Sequence, residues 1–106
     1  MIVVNRFRVP GSEHEVFRHD LDRARATLAA QPGYLRGSIG RNVDDPELWV
    51  LTTEWQGPGA YRRALSTYDV KLTAVPTLSR ALDEPSAYEP VEPGTELNDA
   101  RARSLG

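Results

Sequence analysis

The stretch LWVLTTEW at residues 48–55 constrains this chain more than any other. It is rich in β-branched and aromatic residues, and period-two alternation puts Leu48, Val50, Thr52 and Glu54 on one face and Trp49, Leu51, Thr53 and Trp55 on the other. Residues 2–9, IVVNRFRV, read as a second strand, with Val3, Asn5, Phe7 and Val9 on one face and Ile2, Val4, Arg6 and Arg8 on the other. Both faces of such a pair carry apolar side chains, so a sheet built on them needs cover on each side. Helices can supply one layer. Over Ile2, Val4, Leu48 and Val50 a chain of 106 residues has no further layer to offer, and a second subunit packed isologously is the simplest cover.

The remaining segments supply the helices and the sheet's other strands. Pro10-Gly11 stops the first strand, and Ser12-Glu13-His14-Glu15 has the form of a capping box opening a helix that runs to about Ala30. Phe17, Leu21, Ala24 and Leu28 form its apolar stripe, while Asp20 with Arg23 and Asp22 with Arg25 are i,i+3 pairs on its wet side. Gln31-Pro32-Gly33 ends it. Residues 34–42 read as a strand interrupted by Gly37 and Gly40, and Asp44-Asp45-Pro46 as a turn. Gly57-Pro58-Gly59 precedes a short helix over 59–67, and a second helical stretch over 69–74 closes near Pro76. A last strand, placed at 85–91, is confined to an edge by its prolines. The order predicts an α+β fold of the ferredoxin-like, split βαβ kind with a four-stranded antiparallel sheet. It occupies one domain over 1–91, and the apolar-poor residues 92–106 form an extended or disordered tail.

Several functions are argued against by composition. There is no cysteine, hence no disulfide, thiolate metal site or cysteine nucleophile. A formal net charge of −2 does not suit a nucleic-acid binder. No apolar run approaches the length of a membrane span, and MIVVNRFRV is too short and too charged for a signal peptide, so a cytoplasmic protein is expected. His14 and His19 are five apart rather than four, do not form a metal-binding pair, and are expected to be solvated.

Four landmarks, VVNRFRVP at 3–10, Gln31-Pro32-Gly33-Tyr34-Leu35, the strand end Thr52-Thr53-Glu54-Trp55, and Ala60-Tyr61 shortly after it, occur in an order and spacing that resembles the antibiotic biosynthesis monooxygenase family of dimeric α+β barrels. The resemblance covers roughly residues 1–91. It implies a homodimer whose two sheets close a barrel, with a pocket in each subunit between its own sheet and helices. It further implies a small monooxygenase that oxidises an aromatic, polyketide-like substrate with O2 as co-substrate and no cofactor, neither metal nor flavin. Trp55 and Tyr61 match the strand-end Trp and helix Tyr of the aromatic-polyketide oxygenases, and Asn5 matches the first-strand Asn of a haem-degrading branch. Those oxygenases carry an Asn four residues before the Trp, where this chain has Leu51, and an Arg fourteen residues after the Tyr, where it has Val75. The Trp and axial His of the haem degraders fall at Ala64 and Thr73, so haem is not expected. Leu51 and Val75 favour the alternative, a non-oxidative ligand-binding protein or a cyclase on the same scaffold.

The chemistry needs a dry aromatic pocket, a group to direct a proton, and donors for developing negative charge. The candidate catalytic residues are Asn5, whose amide can hold a substrate oxygen, Trp55, which can wall the pocket and donate its Nε1–H, and Tyr61, a phenol donor. The candidate substrate-binding residues are Phe7, Arg36, Leu51 and Tyr68. Tyr68 follows Tyr61 by seven and shares its face on a continuous helix, and the charge of Arg36 would favour an enolate. Each also has a plain structural reading: core packing for the aromatics, a satisfied amide for Asn5, a solvated side chain for Arg36.

Overall fold

The computed structural model describes residues 1–97. The two apolar strands pair in the middle of one sheet: β1 (Ile2–Arg8) runs antiparallel to β3 (Leu48–Trp55), from Ile2 opposite Glu54 to Arg8 opposite Leu48. β2 (Tyr34–Arg41) flanks β3 and β4 (Ala87–Tyr88) flanks β1, giving the order β2-β3-β1-β4, all antiparallel. This is the ferredoxin-like α+β arrangement. On one face lie α1 (His14–Ala29), α2 (Pro58–Leu65), α3 (Tyr68–Thr73) and α4 (Val75–Leu78).

The core lies between that face and the helices. Val3, Phe7, Val9, Trp49, Leu51, Thr53 and Trp55 point into it and are each at most 7% exposed. They meet Phe17, Leu21, Ala24 and Leu28, the predicted stripe of α1, together with Ala60, Ala64 and Val70. Burying each Phe or Leu contributes about 1.5–3 kcal/mol, which is what holds α1 down. Asn5 interrupts the row and is only half-buried. Ile2, Val4, Leu48 and Val50, on the sheet's other face, are also only half-buried.

Several local expectations are corrected. Ser12 does not cap α1: the chain enters through a 3-10 turn over Gly11–Glu13, and no side chain caps the helix. The His14 N–H donates to the Gly11 carbonyl within that turn, and Gly11 N–H donates to the Glu47 carboxylate at 3.2 Å. The edge strand is two residues long rather than 85–91, because Pro85 and Pro90 have no N–H to continue the ladder. The stretches expected over 59–67 and 69–74 are indeed two helices, α2 and α3, so the continuous helix on which Tyr61 and Tyr68 would share a face does not form. Thr67 is extended (φ −73°, ψ 151°), and its hydroxyl accepts from Val70 N–H at 3.4 Å to cap α3. Pro76 stands in the first turn of α4, where its missing N–H costs nothing, rather than stopping a helix. Of the two expected pairs on α1, Arg25 reaches Asp22 at 3.0 Å, while Asp20 lies 4.0 Å from His19.

Two further ties fix the sheet's edge. Arg6 grips Glu84 with two bonds of 2.7 and 2.9 Å, holding the Glu84 carboxyl below the usual carboxylate range. Gly33 turns the chain from α1 into β2 at φ +87°, and a Cβ there would lie 2.5 Å from that of Ala60, so the turn abuts α2. Residues 92–97 are exposed and include a turn at Gly94 in which Thr95 N–H donates to the Glu92 carbonyl at 2.9 Å. The rest of the expected tail, 98–106, lies outside the described residues. No helix among the described residues is long and apolar enough to cross a membrane.

Candidate active site

β3 ends at Trp55, and two backbone bonds lock that end to the N-terminus: the Met1 ammonium donates to the Trp55 carbonyl and Trp55 N–H donates to the Met1 carbonyl, each at 2.8 Å. The indole is 1% exposed and sits between two phenols. Tyr34 meets it edge-on at 5.3 Å between centroids, and Tyr61 lies against it at 5.3 Å and 52°. The Tyr34 hydroxyl occupies the space a side chain at Gly37 would need, which accounts for a glycine in mid-strand. Trp55 donates its Nε1–H to the Thr53 hydroxyl at 2.9 Å, both groups being buried.

Tyr61 is the polar centre. It is half-buried on the first turns of α2, and burial pushes its phenol above the ordinary value of 10.0. The nearby Asn5 side chain opposes that rise in part. Tyr61 is therefore a neutral donor at physiological pH, not a base. Tyr61 also lines a cavity of about 660 Å³ with Met1, Leu65, Arg62, Tyr88 and Pro90, at the end of the sheet between α2 and the segment after β4. That cavity has a largely apolar wall with two phenols, Tyr61 and Tyr88, in its lining, which suits a flat aromatic molecule bearing an oxygen.

The structure thus brings three of the sequence-predicted residues together: Asn5, Trp55 and Tyr61. The indole proton of Trp55, however, is already committed to Thr53, so the residue is placed to pack against Tyr61 rather than to donate to an oxyanion. The other four stand elsewhere. Phe7 and Leu51 are 1% and 0% exposed and belong to the core. Arg36 is exposed and ion-paired with Glu54, on the sheet face away from the helices. Tyr68 is 76% exposed, because the break at Ser66 and Thr67 takes it off the face of Tyr61. His14 is not solvated: it is half-buried, with Nε2 3.0 Å from the Val9 carbonyl. Tyr34, Thr53 and Met1 were not anticipated at the site. Thr53 was findable, lying two residues from Trp55 on the same strand face. Among the described residues no three His, Asp or Glu side chains are grouped to hold a metal ion.

The fold defines a small ferredoxin-like α+β protein with an aromatic cluster beside a cavity. The chain belongs to the antibiotic biosynthesis monooxygenase family, whose sequence model matches residues 1–74. Deoxynogalonate monooxygenase of Streptomyces nogalater is 38% identical over 63 residues, covering 59% of this chain and 52% of that protein. The chain therefore aligns with about half the length of this curated relative. The crystal structure of SnoaB, described as a cofactor-independent oxygenase from Streptomyces nogalater, superposes with a TM-score of 0.72 at 27% identity, covering 90% of this chain and 96% of that one. Rv0793 from Mycobacterium tuberculosis shares the fold, with a TM-score of 0.68 at 16% identity over 89% of this chain and 97% of that one.

Proposed function

We propose that this protein is a cofactor-independent monooxygenase that oxidises a planar phenolic or anthrone-like substrate with O2. The observation that carries this reading is the neutral, partly buried Tyr61 phenol, backed by Asn5 and packed on Trp55, at the wall of an apolar cavity. Triplet O2 reacts slowly with closed-shell molecules, but an enolate can give it an electron. Tyr61 donates a hydrogen bond to the substrate oxygen, Asn5 holds the Tyr61 oxygen, and the two stabilise the anion as the substrate's proton leaves to water. After electron transfer the radical pair joins as a peroxide. Loss of water then leaves a carbonyl, so that CH2 plus O2 gives C=O plus H2O. SnoaB, a cofactor-independent oxygenase, supports the class; the substrate class is what the family resemblance implies, and the largely apolar lining of the cavity suits it.

The half-buried row Ile2, Val4, Leu48 and Val50 supports a homodimer with the two sheets face to face, as the family resemblance implies. Sedimentation showing a stable monomer at micromolar concentration would contradict it. A second reading, ligand binding or cyclisation without oxidation, is favoured by one observation: Leu51, where the related oxygenases carry an Asn, is fully buried hydrocarbon. Turnover of an anthrone panel separates the two. The oxygenase reading expects O2-dependent quinone formation that falls by roughly 10²-fold in Tyr61→Phe and in Asn5→Ala. Ligand-induced rises in Tm with no product from any anthrone would support the second reading.

A further inference from the structure

A second groove lies at the opposite end of β3, away from Tyr61. It runs between the first turns of α1 and the ends of β2 and β3, has a volume of about 940 Å³, and is walled by Trp49, Ile39, Arg41, Arg18, His14 and Glu15. Trp49, one of these walls and only 7% exposed, carries the one buried side-chain polar atom without a hydrogen-bond partner among the described residues, its Nε1–H. Natural cores rarely leave such a donor unpaired. Trp55 shows the contrast, its indole being satisfied by Thr53 at 2.9 Å.

The groove's charges are also uncommitted. Among the described residues neither Arg18 nor Arg41 has an ion-pair partner within 4.0 Å. Arg41 lies across the Trp49 ring with its guanidinium carbon 5.7 Å from the centroid. Of the acids that face the groove, Asp22 is held by Arg25 at 3.0 Å, which leaves Glu15. His14 presents its ring edge to Trp49 at 5.5 Å, and since a carbonyl only accepts, its Nε2 carries a proton toward Val9. His19 also lines the rim.

We propose that this groove is a second ligand site, and that it takes a planar aromatic carboxylate. The ring lies along Trp49 and Ile39. The exposed Arg41 arm swings off the indole, and its guanidinium and that of Arg18 take the carboxylate, one oxygen of which accepts the Trp49 Nε1–H. The site is independent of Tyr61, Asn5 and the oxidation chemistry.

The test uses the full-length 15N-labelled protein. Its two indole N–H signals are assigned with Trp49→Phe and Trp55→Phe, and 2-naphthoate, acetate and 2-naphthamide are titrated to millimolar concentration. The expected result is a saturable shift of the Trp49 indole signal with 2-naphthoate only, with Kd raised about tenfold in Arg41→Gln and in Arg18→Gln, the loss of one charge-assisted hydrogen bond. Tyr61→Phe leaves that Kd unchanged. The proposal is overturned by a Trp49 signal that does not move, by acetate moving it as well as naphthoate does, by Kd values indifferent to the arginines, or by a shift that follows Tyr61→Phe.

Discussion

Thr53→Val probes the placement of Trp55 most sharply. Valine keeps the shape and β-branching of threonine, so the strand and its packing survive, but the acceptor for the indole N–H is gone. In the wild type that bond is 2.9 Å long, and Thr53 and Trp55 are each 1% exposed, so water has no access to replace it. A buried donor stripped of its partner costs about 1–3 kcal/mol, or at least roughly 4 °C in Tm for a domain of this size. Thr53→Ser keeps the oxygen and loses only a methyl, about 1 kcal/mol. Urea denaturation at fixed protein concentration measures both. On the Thr53→Val background, Trp55→Phe then removes the orphaned donor, so the two substitutions together cost less than the sum of each alone by about 1 kcal/mol or more. Thr53→Val within about 0.5 kcal/mol of wild type, or strict additivity in the cycle, would refute the view that Trp55 is held by Thr53 instead of serving as a free donor.

Further outcomes follow from the same geometry. Ultraviolet titration should show a phenol ionising above the ordinary value of 10.0 that disappears in Tyr61→Phe; Asn5→Ala should push it higher still, and a downward move contradicts the Asn5 contact. Because the folded state holds that proton more tightly than the unfolded chain, stability from this group is full below about pH 10 and is lost as pH rises through the folded pKa; a loss that persists in Tyr61→Phe assigns it elsewhere. Gly33→Ala meets both a left-handed φ and the Ala60 side chain, and should cost about 2–4 kcal/mol in urea denaturation, whereas Gly11→Ala, with open space around it, should cost little. Glu84→Gln should flatten the acid limb of the stability profile, since the Arg6 contact favours the ionised carboxylate and is lost as pH falls through its lowered pKa; an unchanged limb argues that the pair is idle in solution.

The sheet and α1 were legible because their signals are periodic and long. Period two in β1 and β3 gave the correct inward row, and Phe17, Leu21, Ala24 and Leu28 gave the buried stripe. Short-range bonds were not legible. Nothing in Ser12-Glu13-His14-Glu15 says that the chain will enter the helix through a 3-10 turn. The break between the helical stretches was read, but a shared face for Tyr61 and Tyr68 needed a continuous helix, and the extended Thr67 turns Tyr68 away. At the candidate site, Asn5, Trp55 and Tyr61 were singled out through the family resemblance, yet the donor role of Trp55 could not be judged without knowing that Thr53 takes its proton. Leu51 and Phe7 were placed on the right face, but alternation distinguishes inward from outward, not core from cavity. Arg36 was given no face from the sequence, and the irregularity between Tyr34 and Arg36 sets it opposite Glu54 while Tyr34 lies opposite Trp55.

The central claim is that the Tyr61 cavity lets an aromatic substrate reduce O2 directly. Turnover of an anthrone panel under 18O2, by metal-free protein in chelator-treated buffer, tests it at the level of atoms. The account predicts one labelled oxygen in the new carbonyl (analysed before it exchanges with water) and one O2 consumed per product, with the rate lost under nitrogen and in Tyr61→Phe. Unlabelled carbonyl oxygen, or a rate indifferent to O2 or to Tyr61, would contradict it.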